Sequence, residues 1–518
     1  MRDVVRAADL SARNRTLLFW ASFLALTAAG FGFAFRVAMG GAYGREFGLT
    51  QQEVGEVFGA SLWPIAITMI GFSLIVDRTG YKLPMYAALA LQVISGVGTF
   101  FADSYGALYA FAFCAGLGHG IVEAVINPIC AAVYPKQKTK WLTYLHAAWP
   151  AGLGLGTLII LGTQSLAGGW RVHALWIIAP AVAYALMYRR CRFPVDERVQ
   201  AGVPYIAMLR QVGFLGATLA SFLLIYEVGN QADNLTQWTK PDNWSTISLI
   251  AGISVGIVYG LSVRAMGKPL FFLLCLLMIP VATAELGTDG WIKGLMTPVL
   301  ENLEINPALA LVFSAFIMLF FRVFAGGILK IFNPPTLLCL SGVFSAIGLY
   351  WLAGATGVAI FVAFVLYAIG QSYYWPCMLG FVSERFPQGG ALTLNTVSAI
   401  GLLSAGIIGG PILGAAFDKS IHATVVEEAP DFAEATASPG SFMWLTHEKI
   451  DPAQAVRFIA ALPVAEKAPT QAIYDQSTVR AGRDVLVYAA RFPAILVVVF
   501  GMIVIYFRRR GGYKPIDL

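Results

Sequence analysis

Charge is what this 518-residue chain has least of: Asp, Glu, Lys and Arg together make up 12% of it, about half the share found in water-soluble domains. A chain so poor in polar groups cannot clothe a folded surface in water. Chemistry-bearing spacings are missing as well. The six cysteines (Cys114, Cys130, Cys191, Cys275, Cys339 and Cys377) contain no C-x-x-C pair and read as small core residues rather than metal ligands. No H-x-x-H pattern interrupts the sequence, and neither an enzyme nor a metal or cofactor site is expected. The formal charge of +6 says little about nucleic acid, because the cations sit in short loops between apolar runs.

Those runs are what the chain has instead. Hydrophobic residues make up 58% of it, gathered in stretches of about 20, each long enough to cross roughly 30 Å of hydrocarbon. They are too long for barrel strands, and only helices satisfy their own backbone in lipid. The expectation is an all-α polytopic membrane protein. Fourteen spans are placed near 17–39, 55–76, 83–101, 107–134, 142–167, 171–188, 212–229, 247–264, 271–290, 307–331, 336–353, 357–385, 391–417 and 488–507. The first run has Arg2, Arg6, Arg13 and Arg15 before it but no small-residue cleavage site, and it exceeds a signal-peptide core. It is expected to stay as the first helix.

Basic residues set the orientation. The N-terminal arm, Arg78/Lys82, Lys136/Lys138/Lys140, Arg189/Arg190/Arg192/Arg198/Arg210, Arg264/Lys268, Lys330, Arg385 and Arg508/Arg509/Arg510/Lys514 fall on one face. Opposite short loops hold little beyond Arg45, Arg171, Lys240 and Lys293. Both termini are expected in the cytoplasm, with the chain in the plasma (inner) membrane. Segment 418–487 then lies outside as a cap, with a helix from Asp451-Pro452 to about Leu462.

Two distant stretches echo each other. Gly116-Leu-Gly118 precedes Tyr134-Pro135 as Ala368-Ile-Gly370 precedes Phe386-Pro387, with 17 residues from glycine to proline in each and an offset of 252 between copies. Adding the offset to Leu17 reaches Pro269-Leu270, the start of the ninth span. The reading is two six-helix halves, 17–188 and 269–417 plus 488–507, with two inserted helices in 189–268. That is the architecture of a transporter whose site lies between its halves. Residues 1–16 form an arm and 508–518 a tail.

The loop after the second span reads Ser73-Leu-Ile-Val-Asp77-Arg78-Thr-Gly80-Tyr81-Lys82. An acid near a helix end among cations makes a breakable charge cluster. The run resembles the G-x-L-a-D-r-x-G-r-k signature of the major facilitator superfamily, with serine replacing the first glycine. Within it the chain resembles the fucose and glucose/galactose–proton symporter group. Span four (Gly116-Leu-Gly118, Glu123, Asn127-Pro128) is similar to that group's G-L-G and E-x-x-x-N-P. Ala284-Glu285 with Trp291-Ile292 is similar to its A-E-x5-W-I, and Arg322 to Gly326 to its G-R-x-x-G, with Phe321 in place of the first glycine. Asn395, Gly409-Gly410-Pro411, Gly414 and Asp418 fit its glycine-rich helix. The likeness implies a cytoplasmic gate at Asp77, Arg78, Gly80, Lys82 and Arg322, and a proton and substrate role for Glu123. One departure stands out. Where the group carries an Asn-Asp pair in its first helix, this chain has Phe35-Arg36-Val37.

A charge at mid-bilayer costs about 3 kcal/mol on insertion scales, so each one needs a reason. Glu123 is the deepest, with His119 and Asn127 four residues to either side on one helix face. It either handles a proton or makes a structural hydrogen bond, and His119 is as readily a satisfied core histidine. Arg36 snorkels outward, pairs with Glu123, or clamps an anionic or hydroxyl-rich solute. Glu285 is deep enough to be a second acid, while Glu227 is expected at the interface. Gln371, Tyr374, Trp375 and Asn395 offer amides and aromatics suited to a sugar. Pro128 and Pro376 are expected to free backbone carbonyls and bend their helices.

The expectation is a monomeric secondary transporter moving a sugar or similar polar solute by alternating access with H+. A uniporter or exporter of another solute such as an organic anion, or a non-transporting receptor, is the alternative.

Overall fold

The structure, a computed structural model, describes residues 4–164, 169–236, 238–289, 292, 296, 300–301 and 304–518. Arg2, Trp291 and Lys293 lie outside the described residues.

Ser11 opens the first helix by accepting from the Asn14 amide, and Gly48, at φ 67°, ends it in the left-handed region that glycine enters without steric cost. The helices in chain order are α1 (Ala12–Phe47), α2 (Glu53–Thr79), α3 (Lys82–Phe101), α4 (Tyr105–Val133), α5 (Pro135–Gly162), α6 (Gly169–Arg189), α7 (Tyr205–Leu235), α8 (Trp244–Val263), α9 (Pro269–Gly287), α10 (Leu309–Val323), α11 (Pro334–Gly354), α12 (Ala359–Arg385), α13 (Pro387–Glu428) and α14 (Val464–Arg509). Among the described residues thirteen helices are long and apolar enough to cross a membrane, while α10 holds the place of the expected tenth span in 15 residues.

The helices pack in two groups with one scheme. In the first, α1 lies on α5 and α6, α4 on α2 and α3, and α3 on α6; in the second, α9 lies on α13 and α14, α12 on α10 and α11, and α11 on α14. Lipid gives helices no hydrophobic reason to associate, so close backbone approach at small residues carries the packing. A Cβ on Gly118 would press on α3 at Ala88–Gln92, and one on Gly370 would collide with α11 at Ser341 and Ser345. The echo in the sequence is thus a repeated contact. Gly152 of α5 likewise meets the Thr27 carbonyl of α1 directly.

The groups meet where α2 packs on α13, and α5 on α10 and α12. The inserted helices α7 and α8 form a tight pair, with α7 laid against α13 and α9. Both chain termini gather at one end of the bundle: Val4–Val5 pairs with Phe193–Pro194, and Arg385 donates to the Lys514 carbonyl.

At the opposite end the cap departs from a plain loop. Helices α13 and α14 run past their apolar stretches into it and pack on each other. Between them stand a hairpin, Ala437–Phe442 with Leu445–Ile450, and the helix Pro452–Ala461, capped by the Asp451 carboxylate. A small core of its own includes Ile421, Phe432, Ile450 and Ile459. Trp444 of the hairpin stacks on Phe222 and donates to Thr246, fastening cap to inserted helices.

Candidate functional site

The end that gathers the termini is closed. Asp77 pairs with Arg198, on the single helical turn Glu197–Gln200, rather than with its neighbours Arg78 or Lys82. Beside it the Tyr81 hydroxyl donates to Asp196 at 3.1 Å. Burial pushes the Asp196 carboxyl above its ordinary range, opposed by the Arg198 charge. Lys138 of α5 reaches Glu197 at 2.6 Å and the Ser383 carbonyl of α12 at 3.3 Å, while Thr139 donates to Glu384 of α12. The lock therefore joins both groups through the segment between them. Gly80, at φ 66°, turns the chain out of α2.

Deeper in, three prolines leave carbonyls without a helical donor, since proline has no N–H to give the residue four before it. All three carbonyls are used across helices. Pro128 frees Ala124, whose oxygen accepts from Asn395 of α13 at 3.1 Å. Pro150 frees His146, whose oxygen accepts from Arg322 Nη1 at 2.9 Å. Pro376 frees Ser372, whose oxygen accepts from Arg322 Nε at 2.8 Å. Arg322 completes its fork on Glu285 at 2.9 Å. The expected gate role of Arg322 does not fit this placement: it is 1% exposed and ties α10, α9, α12 and α5 together inside the bundle, away from Asp77. Asn395 also donates to Ser73 Oγ at 2.7 Å, so the serine standing in for the signature's first glycine holds α2 to α13.

Glu123 sits in a second buried set. Asn127 donates to its carboxylate at 2.7 Å, His146 Nε2 lies 2.9 Å from Asn127 Oδ1, and His119 Nε2 stands 3.8 Å from the carboxylate, an ion-pair distance. His146, which the sequence reading passed over, links this set through its own carbonyl to Arg322.

Above these sets lies a cavity of about 1020 Å³ that reaches the hairpin of the cap at Ser441 and Phe442. Arg36 of α1, His119, Trp149, Asp289, Ser314 and Phe364 line it, with a polar face of α7 (Tyr226, Glu227, Asn230, Gln231, Asn234) and Phe442 of the hairpin. Glu227 is thus a wall residue, not an interface residue: Gln231 donates to it at 2.7 Å and accepts from Tyr109 of α4 at 2.6 Å. One wall is aromatic. Phe33 meets Phe58 and Trp149 edge-on at 5.1 and 5.3 Å, and Trp149 stacks on His119. Arg36 neither snorkels outward nor pairs with Glu123. Among the described residues no carboxylate lies within ion-pair distance of it, and its Nε has no hydrogen-bond partner.

Of the residues expected to touch solute, Arg36 and His119 line the cavity. Glu123 and Asn127 lie beneath it, Glu285 is engaged by Arg322, and Asn395 joins α13 to α2 and α4. Gln371 donates toward Ser314 at 3.4 Å, Tyr374 toward the Ser341 carbonyl at 3.4 Å, and Trp375 lies against Gly401. These three are packed between helices outside the cavity lining. Among the described residues no group of three metal-binding side chains occurs.

The sequence profile of the Major Facilitator Superfamily matches residues 18–411, and the chain belongs to that family. It is therefore a multi-pass membrane transporter of a small molecule, working by alternating access, and not an enzyme. A gentisate transporter of Corynebacterium glutamicum is 24% identical over 163 residues, 31% of this chain and 36% of that protein; the chain thus matches about a third of the length of this curated relative. Among solved structures, the proton:xylose symporter XylE bound to 6-bromo-6-deoxy-D-glucose superposes with a TM-score of 0.57 at 14% identity, covering 94% of this chain and 97% of that one. The human organic anion transporter MFSD10 (TETRAN) gives 0.56 at 12% identity, covering 94% and 99%. At these identities the likeness is one of fold.

Proposed function

We propose that the protein carries a small organic anion with an aromatic or apolar body, coupled to H+, across the plasma membrane with its termini in the cytoplasm. The observation that carries this reading is Arg36, a guanidinium on the cavity wall that no carboxylate among the described residues approaches to ion-pair distance, although Glu56, Glu227 and Asp289 line the same cavity elsewhere. A cation in low dielectric without a counter-charge is costly, and a solute anion supplies the missing charge. The adjoining Phe58, Phe33 and Trp149 give its body a surface to lie on. The partial match to a gentisate transporter is in keeping with an anionic solute. Sugar, expected first from the family likeness, takes second place, because Gln371, Tyr374, Trp375 and Asn395, which favoured it, stand outside the cavity lining.

Glu123 is the coupling acid in this reading. His119 connects it to the cavity and Asn127 and His146 connect it to the seam between the halves, so its surroundings change when the seam opens. The solute enters from the cap side, the cavity closes over it, and the Asp77–Arg198 and Lys138 locks release on the other side. A thermal-shift screen of wild type and Arg36→Gln against organic anions and sugars tests the solute class. Stabilisation by anions that vanishes in the variant is the expected result; stabilisation by sugars alone, equal in both proteins, contradicts it.

A further inference from the structure

Beside the main cavity is a smaller pocket of about 30 Å³ between α1, α3, α4 and α6, room for about two waters. It adjoins the main cavity, and Arg36, Tyr43 and His119 line both. Its own wall adds His173 of α6 and, from α3, Gln92, Ser95 and Thr99. No carboxylate lines it, whereas the main cavity has Glu56, Glu227 and Asp289 on its walls. His119 and His173 are 5% and 3% exposed, yet His119 Nε2 and His173 Nδ1 have no hydrogen-bond partner, like Arg36 Nε. The other His173 nitrogen is held by Thr163 Oγ1 at 3.0 Å, which fixes the ring. Buried polar atoms left unpaired are expensive; His119 Nε2 has the Glu123 carboxylate 3.8 Å away, but Arg36 Nε and His173 Nδ1 have no such neighbour, and a guanidinium beside an acid-free pocket calls for an acceptor-rich guest.

We propose that this pocket is a small-anion subsite. It takes one compact anionic group, either the carboxylate end of the transported solute, whose body then rests on the Trp149 wall, or a free halide. The guanidinium of Arg36 supplies the charge from the shared wall. The Ser95 and Thr99 hydroxyls supply further donors; Thr163 gives its proton to the Ile159 carbonyl and accepts from His173 Nε2, so His173 adds an Nδ1–H in its imidazolium form, and the narrowness of the pocket excludes a bulky phosphate or a sugar ring. The carboxylate arm rests on the organic-anion reading above; the anion subsite itself does not.

The test is equilibrium binding of radiolabelled chloride and radiolabelled benzoate to the purified full-length protein in detergent, with benzyl alcohol as the neutral control. Wild type is compared with Thr99→Val and His173→Phe, two positions on the small pocket but not on the main cavity. Two variants on different helices guard against a folding defect in either. The expected result is saturable anion binding that weakens at least tenfold in both variants, with benzyl alcohol unaffected. Competition between chloride and benzoate identifies the carboxylate as the guest; chloride bound independently of benzoate, yet lost in the variants, identifies a free halide. Both outcomes support the subsite. Anion binding as tight in both variants as in wild type, or no saturable anion binding at all, overturns it. Uptake of organic anions by wild-type vesicles, with binding untouched by either variant, overturns the subsite alone. Chloride binding lost in the variants, with no organic anion taken up, overturns the transport reading alone.

Discussion

Replacing Arg322 by methionine probes the buried junction of the two halves. The substitution keeps most of the apolar stem and deletes three bonds at once, to Glu285 and to the His146 and Ser372 carbonyls. Stranding one partner of a buried ion pair costs about 3–5 kcal/mol. Each carbonyl, already deprived of its helical donor by Pro150 or Pro376, adds about 1–3 kcal/mol if nothing replaces the guanidinium. Glu285→Gln strands the Arg322 charge in its turn and should also cost about 3–5 kcal/mol, although the guanidinium keeps both carbonyls and an amide oxygen takes the place of the carboxylate. The double variant removes the stranded charge, so it should be more stable than Arg322→Met by roughly 2 kcal/mol or more. Denaturant unfolding in detergent, followed by tryptophan fluorescence, gives the four stabilities of the cycle. Additive losses, with the double variant the least stable of the set, would refute the junction as described.

At the closed end, Lys138→Ala removes the link from α5 to Glu197 and Ser383; a cysteine placed at Ser383 in a cysteine-free background should then react with maleimide about tenfold faster, equivalent to about 1.4 kcal/mol. Glu123→Gln should abolish uphill accumulation driven by a pH gradient while sparing solute exchange in proteoliposomes, and accumulation that persists excludes Glu123 as the coupling acid. Gly152→Ala puts a methyl against the Thr27 carbonyl and should cost about 1–3 kcal/mol, read as a lower melting temperature, whereas Gly162→Ala, with open space at its Cβ, should be near neutral. Ser73→Ala should weaken the α2–α13 seam by about 0.5–1.5 kcal/mol, visible as faster maleimide labelling of a cysteine at Ala391.

What the sequence discloses is local and periodic. Apolar runs locate the spans, and the spacing of His119, Glu123 and Asn127 stacks them on one helix, because both follow from helix geometry alone. The carbonyls freed by Pro128 and Pro376 follow from the missing N–H; which side chain takes them does not. Arg322 and Asn395 come from other helices, hundreds of residues away in the case of Asn395, so only packing assigns them. The same holds for Glu227. Its place near the outer end of a span points to the interface, yet α7 lies against the second half with that face toward the cavity. The hairpin at Ala437–Ile450 had no alternating pattern to announce it, since Ser438, Pro439 and Gly440 favour turns over strands. The gate signature was legible as a motif, but its partner Arg198 lies in the segment between the halves.

The most direct test of an Arg36-centred anion carrier is uptake into proteoliposomes of radiolabelled aromatic carboxylates beside neutral sugars, with wild type and Arg36→Gln compared under one imposed pH gradient. The account predicts concentrative uptake of at least one carboxylate, no uptake of the sugars, and a loss of at least tenfold in the variant. Concentrative uptake of a sugar, unchanged by Arg36→Gln and with every carboxylate excluded, would contradict it.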